Sequence, residues 1–369
     1  MPTYDVVVAG LGGFGSSAAC HLARRGLRVL GLDPRPGAHA EGSSHGETRI
    51  VRQAYFEGAG YLPLLRRTYE LWDELSTEDG RPMLRRTGGL FMGAPGTRVL
   101  AGSIATAQQW GLEHEVLDAR QVTRRFPAVR PPDGTLALFE RYAGVVGPEA
   151  AVSAHLLGAA RAGAELRHGE SVTGWAATTS GVRVTTTTGR YDAGALVLAT
   201  GRWATDLLGD LDLPLVVERR VQHWFAPTAP ADFAPGRLPV WLWELADGTS
   251  LYGSPAVGSG DAVKAAVHFS GAGPADAWTP ADIAARLAPL FPDLGDRHVR
   301  SAQCWYTLTP DEHFVVGAHP ASSRVLVACG FSGHGFKFTP VLGEVLADLV
   351  ADGSTSFDLS LFDPLRFAG

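Results

Sequence analysis

"YDVVVAGLGGFGSSAACHLARRGLRVLGLD" spans residues 4–33 and decides the fold. Tyr4–Ala9 is a short β-branched run of the kind that forms a buried parallel strand. Gly10-Leu11-Gly12-Gly13-Phe14-Gly15 follows it directly, and a helical pattern then runs to Gly26, a glycine stop. A second strand over Arg28–Leu32 ends in Asp33. The glycines permit a tight turn and bring backbone N–H groups close to a pyrophosphate at the helix N-terminus, while Asp33 can accept hydrogen bonds from an adenosine ribose. Ala19, Leu22, Gly26 and Val29 fall where a helix lying on strands requires small or apolar residues. The stretch predicts a βαβ unit that binds a dinucleotide.

No second glycine fingerprint follows that could hold a nicotinamide cofactor beside a flavin, so FAD bound alone is the simpler expectation. A later strand, Ala195–Leu198, ends in Ala199-Thr200-Gly201, where two-domain flavoproteins return a strand end to the cofactor. Residues 147–168 read as a helix after a Gly-Pro break, and 170–201 as strands with a turn at Thr188-Gly189. Leu326–Ala328 and the amphipathic Val341–Val350 read as the closing strand and helix of the same domain. The intervening segments are richer in Pro, Trp and Gly and contain alternating stretches such as Val263–Phe269. The expected architecture is α/β: a discontinuous, Rossmann-like FAD-binding domain over residues 1–84, 145–214 and 303–369, with a mostly antiparallel β substrate domain over 85–144 and 215–302. Ala226–Pro239 reads as a loop, and no internal repeat is visible.

Composition fits this reading. The chain has 369 residues, 45% hydrophobic and 19% charged, and a net charge of -6, which gives no reason to expect nucleic acid or an anionic membrane as partner. It opens without a basic, cleavable leader and holds no run long enough to span a bilayer, so a cytoplasmic location is expected. Cys20, Cys304 and Cys329 are too widely spaced for a disulfide framework or a paired-cysteine metal site, and no metal is expected.

Three clusters outside the glycine turn can carry chemistry. In residues 42–52, GSSHGETRIVR, Ser44 with Glu47 three residues on forms a capping-box pattern. That spacing predicts a helix placing His45, Arg49 and Arg52 on neighbouring turns of one face, beside the ribose-binding strand. In Val263–Phe269, period two points Lys264 and His268 to one side; an active-site wall and an exposed edge strand remain equal readings. The third cluster joins Cys304 and Tyr306, on one face of a strand, to the glycine-rich turn Gly330–Lys337, whose Gly333 and Gly335 offer backbone donors. Residue type alone leaves Cys304 either a core thiol or a reactive one.

GSSHGETRIVRQAYFEG (42–58), KAAVH (264–268), CWYT-x-T-x-DEHF (304–314) and GFSGHGFKF (330–338) together make the chain resemble the monomeric sarcosine oxidase and N-methyltryptophan oxidase family over nearly its whole length. The resemblance implies FAD joined by a thioether from Cys304 to the 8α-carbon of the isoalloxazine. It implies that Arg52 and Lys337 clamp a substrate carboxylate, and that Lys264 stands where oxygen meets the reduced flavin. His45, Thr48 and Arg49 would lie by the flavin ring, and His268, Tyr306 and Tyr252 would border the substrate amine. The cofactor set implied is Gly10, Gly12, Gly13, Phe14, Gly15, Asp33, Ser43, Ser44, His45, Thr48, Arg49, Val172, Gly201, Trp203, Cys304, Gly333, Gly335, Phe336 and Lys337. The expected activity is oxidation of N-methyl or other secondary amino acids to imines with oxygen reduced to hydrogen peroxide, by a monomer. A desaturase of cyclic imino acids and a non-catalytic FAD module are the alternatives. Gln53, Phe56 and Trp305 depart from the family's usual His, Gly and smaller residue, and one residue is inserted between Tyr252 and Lys264, so the pocket shape is expected to differ.

Overall fold

The computed structural model describes residues 3–258, 260–271 and 274–368. The predicted βαβ unit is present as strand Tyr4–Ala9, helix Gly13–Arg24 and strand Val29–Asp33. Tyr4–Ala9 is parallel to both Val29–Asp33 and Arg190–Leu198, and further parallel neighbours are Glu165–His168 and Ser322–Cys329. The central strands are apolar and buried over residues 6–9, 29–32 and 196–198, as a parallel sheet covered on both faces requires. Helix Gly13–Arg24 packs against Pro148–Arg161 and Thr339–Ala351, so three distant pieces of sequence close one domain core.

The glycine turn is set by contact. Gly10 has φ +87°, and a Cβ there would meet the carbonyl oxygen of Ala199 at 2.6 Å. At Gly15 a Cβ would stand 1.7 Å from the carbonyl oxygen of Gly10. Gly15→Ala must therefore push the helix off the strand end, an overpacking cost of about 1–3 kcal/mol. A lowered unfolding midpoint is expected, and an unchanged midpoint would show that the turn is looser than these distances require.

A second sheet runs in the order His298–Leu308, Val216–Phe225, Val263–Phe269, Ser250–Ser254, Val240–Glu244, Gly89–Gly93, Leu136–Glu140, His114–Asp118. Every pairing is antiparallel except Val240–Glu244 with Gly89–Gly93. Val263–Phe269 is paired on both sides and buried along most of its length, which overturns the edge-strand reading. The expected boundary between residues 302 and 303 falls inside the strand His298–Leu308, which carries Cys304 across the second sheet. Among the described residues no helix is long and apolar enough to cross a membrane.

Two sequence expectations fail locally. Residues 44–52 form no helix: 42–48 are turns and bends, and Arg49–Val51 is a strand in a small sheet with Gly144–Val146 and Leu84–Arg86. Gly46 and Glu47 both take left-handed φ, +95° and +65°, which breaks a helix there. The capping-box partners are used elsewhere. Ser44 Oγ accepts from the N–H of Gly13 at 3.0 Å, capping the dinucleotide helix across the chain, and Glu47 accepts from Trp224 Nε1 at 3.1 Å. The helix expected over 147–168 ends at Arg161, because Gly163 at φ +93° turns the chain into the strand Glu165–His168.

Candidate active site

The glycine turn, the end of Val29–Asp33 and the end of Arg190–Leu198 open onto a cavity of about 660 Å³, a size ordinary for a cofactor site. Gly10, Gly12, Gly13, Phe14, Asp33, Ser43, Ser44, Arg49, Val172, Gly201, Trp203, Cys304, Gly333, Gly335 and Phe336 line it, and Tyr306 joins them. Gly15 acts from behind, by letting the helix touch the strand. Asp33 is fixed by the N–H groups of Leu11 at 2.8 Å and Arg35 at 2.9 Å, which leaves its carboxylate at the cavity wall. The glycines of the turn, which place no Cβ at Gly10, Gly12 and Gly13, the helix N-terminus and this carboxylate fit a flavin adenine dinucleotide.

A second cavity, about 60 Å³, is lined by Arg52, Tyr252, His268 and Lys337 and by Arg49, Tyr306, Gly333 and Phe336. The last four also line the first cavity, so the two abut across a shared wall. The strands explain the convergence. Glu218 is registered opposite Tyr306 and Arg220 opposite Cys304, while Trp224 is opposite Lys264, so period two brings Cys304, Tyr306, Lys264 and His268 to one face.

Charge is arranged unevenly there. Arg49 donates to the carbonyls of Thr48 at 2.8 Å and Ser43 at 2.7 Å, and its Nη2 lies 3.4 Å from Cys304 Sγ. Cys20 and Cys329 stand in apolar cores, where burial pushes their thiols up to about 11 and about 12. Only Cys304 of the three faces a cation across a cavity wall. Lys264 lines neither cavity. It is buried behind the shared wall, donating to the carbonyls of Gly46 at 3.0 Å and Thr48 at 2.9 Å, and burial with Arg49 nearby drives its pKa well below 10.5. His45 and Thr48 are buried beside it, off both walls; burial and Arg49 take the His45 imidazole down to about 4. Burial likewise holds His268 well below 6.5, hence neutral near neutrality, with Nδ1 3.2 Å from the Tyr306 hydroxyl.

Sequence reasoning missed Glu57, Gln222 and His334, which also line the smaller cavity. Glu57 matters most. Both of its oxygens accept from Arg52 Nη2 at 2.6 Å, with the pair almost wholly buried. Burial opposes ionisation of Glu57, but Arg52, His334 and Lys337 outweigh it and hold the carboxyl at about 2. The Arg52 guanidinium is also stacked on Tyr55 and Phe56, each at 4.5 Å. Lys337 donates to the carbonyl of His334 at 2.6 Å, and burial followed by Arg52 brings it down to about 7. Two cations therefore meet at the cavity as expected, but one already holds a carboxylate of the chain itself.

A dinucleotide site that shares a wall with a small cation-lined cavity is the arrangement of a flavin-dependent oxidoreductase. Residues 5–349 match the FAD dependent oxidoreductase family, and the chain belongs to it. It is 46% identical to a monomeric sarcosine oxidase of Streptomyces avermitilis, over 100% of this chain and 98% of the relative. It is 36% identical to an N-methyl-L-tryptophan oxidase of Salmonella typhimurium, over 99% of each. The solved structure of NikD, an unusual amino acid oxidase essential for nikkomycin biosynthesis, matches with a TM-score of 0.86 and 27% identity over 99% of this chain and 98% of that one. The expectations of the fold and of FAD therefore hold: this is an FAD-dependent amine oxidoreductase.

Proposed function

We propose that the protein oxidises small secondary amino acids, N-methylglycine first among them, with oxygen as the acceptor and hydrogen peroxide as product. The observation that carries this reading is the cavity of about 60 Å³ in which Arg52 and Lys337 converge beside the flavin cavity. Its two cations suit a carboxylate, and its small size favours a short N-alkyl chain over a bulky one. FAD, when bound, takes up the two electrons and the hydrogen removed from the C–N bond and passes them to oxygen.

The chain's own residues orient and discharge the substrate. Arg52, by sharing its guanidinium with Glu57 or exchanging Glu57 for the substrate, and Lys337 fix the carboxylate. Neutral His268 and the Tyr306 hydroxyl, 3.2 Å apart, border the amine and favour its unprotonated form. Trp224 and the buried strand Val263–Phe269 keep water from Lys264. Sarcosine, oxygen and water would give glycine, formaldehyde and peroxide. The test is a peroxide assay over N-methyl amino acids of increasing side-chain size together with cyclic imino acids. Turnover should be best for N-methylglycine and fall with bulk. A preference for a cyclic imino acid would move the protein to desaturation, and absence of peroxide with every substrate would leave a non-catalytic flavin module.

Cys304 is proposed as the attachment point for the flavin, supported by its place on the cavity wall and by the Arg49 guanidinium, whose Nη2 lies 3.4 Å from its sulfur. Acid-precipitated protein is expected to stay yellow, with an intact mass higher than the polypeptide by one flavin. Cys304→Ser should lose both signs, and Cys20→Ser and Cys329→Ser neither. Quantitative release of flavin on denaturing the loaded wild type would refute the link.

A further inference from the structure

Arg35, Trp203, Arg202 and Trp305 form a ladder along the wall of the larger cavity. The Arg35 guanidinium carbon lies 4.4 Å from the Trp203 ring centre, that of Arg202 lies 4.2 Å from Trp203, and Arg202 is also 4.5 Å from Trp305. All four line the cavity. The ladder joins the two ends of the proposed cofactor site, since Arg35 follows the Asp33 strand end by two residues and Trp305 follows Cys304.

Within this ladder Arg202 is the exception. Arg35 pairs with Glu41, and Arg49, the other arginine on the wall, spends its N–H groups on carbonyls. Among the described residues Arg202 makes no hydrogen bond and no ion pair, and its buried Nε has no partner. Two indole planes hold this cation in place without satisfying any of its five N–H donors. Burial, with Arg35 adding like charge, lowers its pKa against the weaker pull of Glu41, a carboxylate already paired with Arg35. Leaving a guanidinium half-buried and unpaired is costly unless a ligand supplies the negative charge. The middle of an adenine dinucleotide, a diphosphate bearing two charges, matches a planar fork of donors.

We infer that Arg202 is the side-chain cation for the cofactor's diphosphate, held in position by the clasp of Trp203 and Trp305. The inference rests on the larger cavity being the FAD site. In a Cys304→Ser background, where affinity can be read without covalent capture, apoprotein is titrated with FAD and with riboflavin, which lacks both phosphates. Arg202→Met is expected to raise the FAD dissociation constant about ten- to a hundredfold and to leave the riboflavin constant within about threefold. The dependence of FAD affinity on salt should also flatten. Arg202→Gln, which keeps a polar side chain and loses the charge, should behave alike and replaces the Met variant if that fails to fold. An unchanged FAD constant overturns the assignment while the site itself stands, and equal losses for FAD and riboflavin reduce the ladder to packing. If the Cys304→Ser protein takes up no FAD with Arg202 intact and the wild type is colourless, the cofactor site has been misplaced and Arg202 falls with it.

Discussion

Replacing Lys264 by Met is expected to leave anaerobic bleaching of the flavin by substrate intact while slowing reoxidation by oxygen about 10²–10³-fold, the usual effect of deleting one preorganised group that stabilises developing charge. Lys264 is proposed as the oxygen residue because it supplies a positive charge in a dry compartment. Its Nζ is 3.0 and 2.9 Å from two carbonyl oxygens and has no carboxylate in ionic contact among the described residues. Outside it stands Trp224, whose ring centre is 5.5 Å from Nζ. Arg300 packs on that ring at 3.6 Å and pairs with Glu47 at 2.6 Å, so solvent is held off by a closed stack. In such surroundings a fixed ammonium acts on nascent superoxide with little screening. Burial, followed by Arg49, lowers the Lys264 pKa, and the sign of the pH dependence follows. The group is charged below its depressed pKa, so reoxidation should slow as pH rises through that value in the wild type and show no such step in Lys264→Met. Rapid-mixing measurement of the oxidative half-reaction checks both. Equal reoxidation rates in the two proteins would remove Lys264 from the oxygen site, and loss of the anaerobic step alone would make it a substrate residue.

What could be read from the sequence follows the range of the interactions involved. The βαβ unit was legible because its constraints are local: a strand of buried apolar residues, glycines where a Cβ would meet the Gly10 and Ala199 carbonyls, and a carboxylate at the next strand end. The face shared by Lys264 and His268, and that shared by Cys304 and Tyr306, needed only the period of two. Residues 44–52 misled because Ser44 and Glu47 carry a helix-start pattern whose partners lie far away, at Gly13 and Trp224. Glu57 went unseen for a related reason. It lies five residues beyond Arg52 in an irregular segment, held by Glu140 through the N–H groups of Gln53 and Ala54, and neither strand nor helix period relates the two side chains. The ladder of Arg35, Trp203, Arg202 and Trp305 draws on three separate segments, so no single window of sequence contains it.

Glu57 changes what the carboxylate clamp must do and sharpens its test. Two buried cations alone would demand an anionic ligand, but Arg52 already holds Glu57 at 2.6 Å. A substrate carboxylate must therefore share the guanidinium or displace Glu57 from it, and the proposed clamp operates by exchange. Arg52→Ala and Lys337→Ala are each expected to weaken a carboxylate ligand about ten- to a hundredfold, the worth of one charge-assisted hydrogen bond. Glu57→Gln should act in the opposite direction, tightening binding up to about tenfold, because it removes the competing anion and leaves the guanidinium charge. Titration with a thioether carboxylate, which has no oxidisable amine, reads all three through the flavin spectrum. The pH dependence separates the partners. Glu57, held at about 2, stays ionised throughout the neutral range, whereas Lys337, at about 7, loses its charge there. Affinity should therefore fall as pH rises through about 7 in the wild type, and the fall should vanish in Lys337→Ala. In Glu57→Gln it should begin at lower pH, since Glu57 is the group that raises the Lys337 pKa. If Arg52→Ala and Lys337→Ala bound the thioether carboxylate as tightly as wild type, and an N-methyl amine without a carboxylate were oxidised as fast as its amino-acid counterpart, these cations would not be a substrate clamp. They would serve instead to hold Glu57, and the protein would act on amines at large.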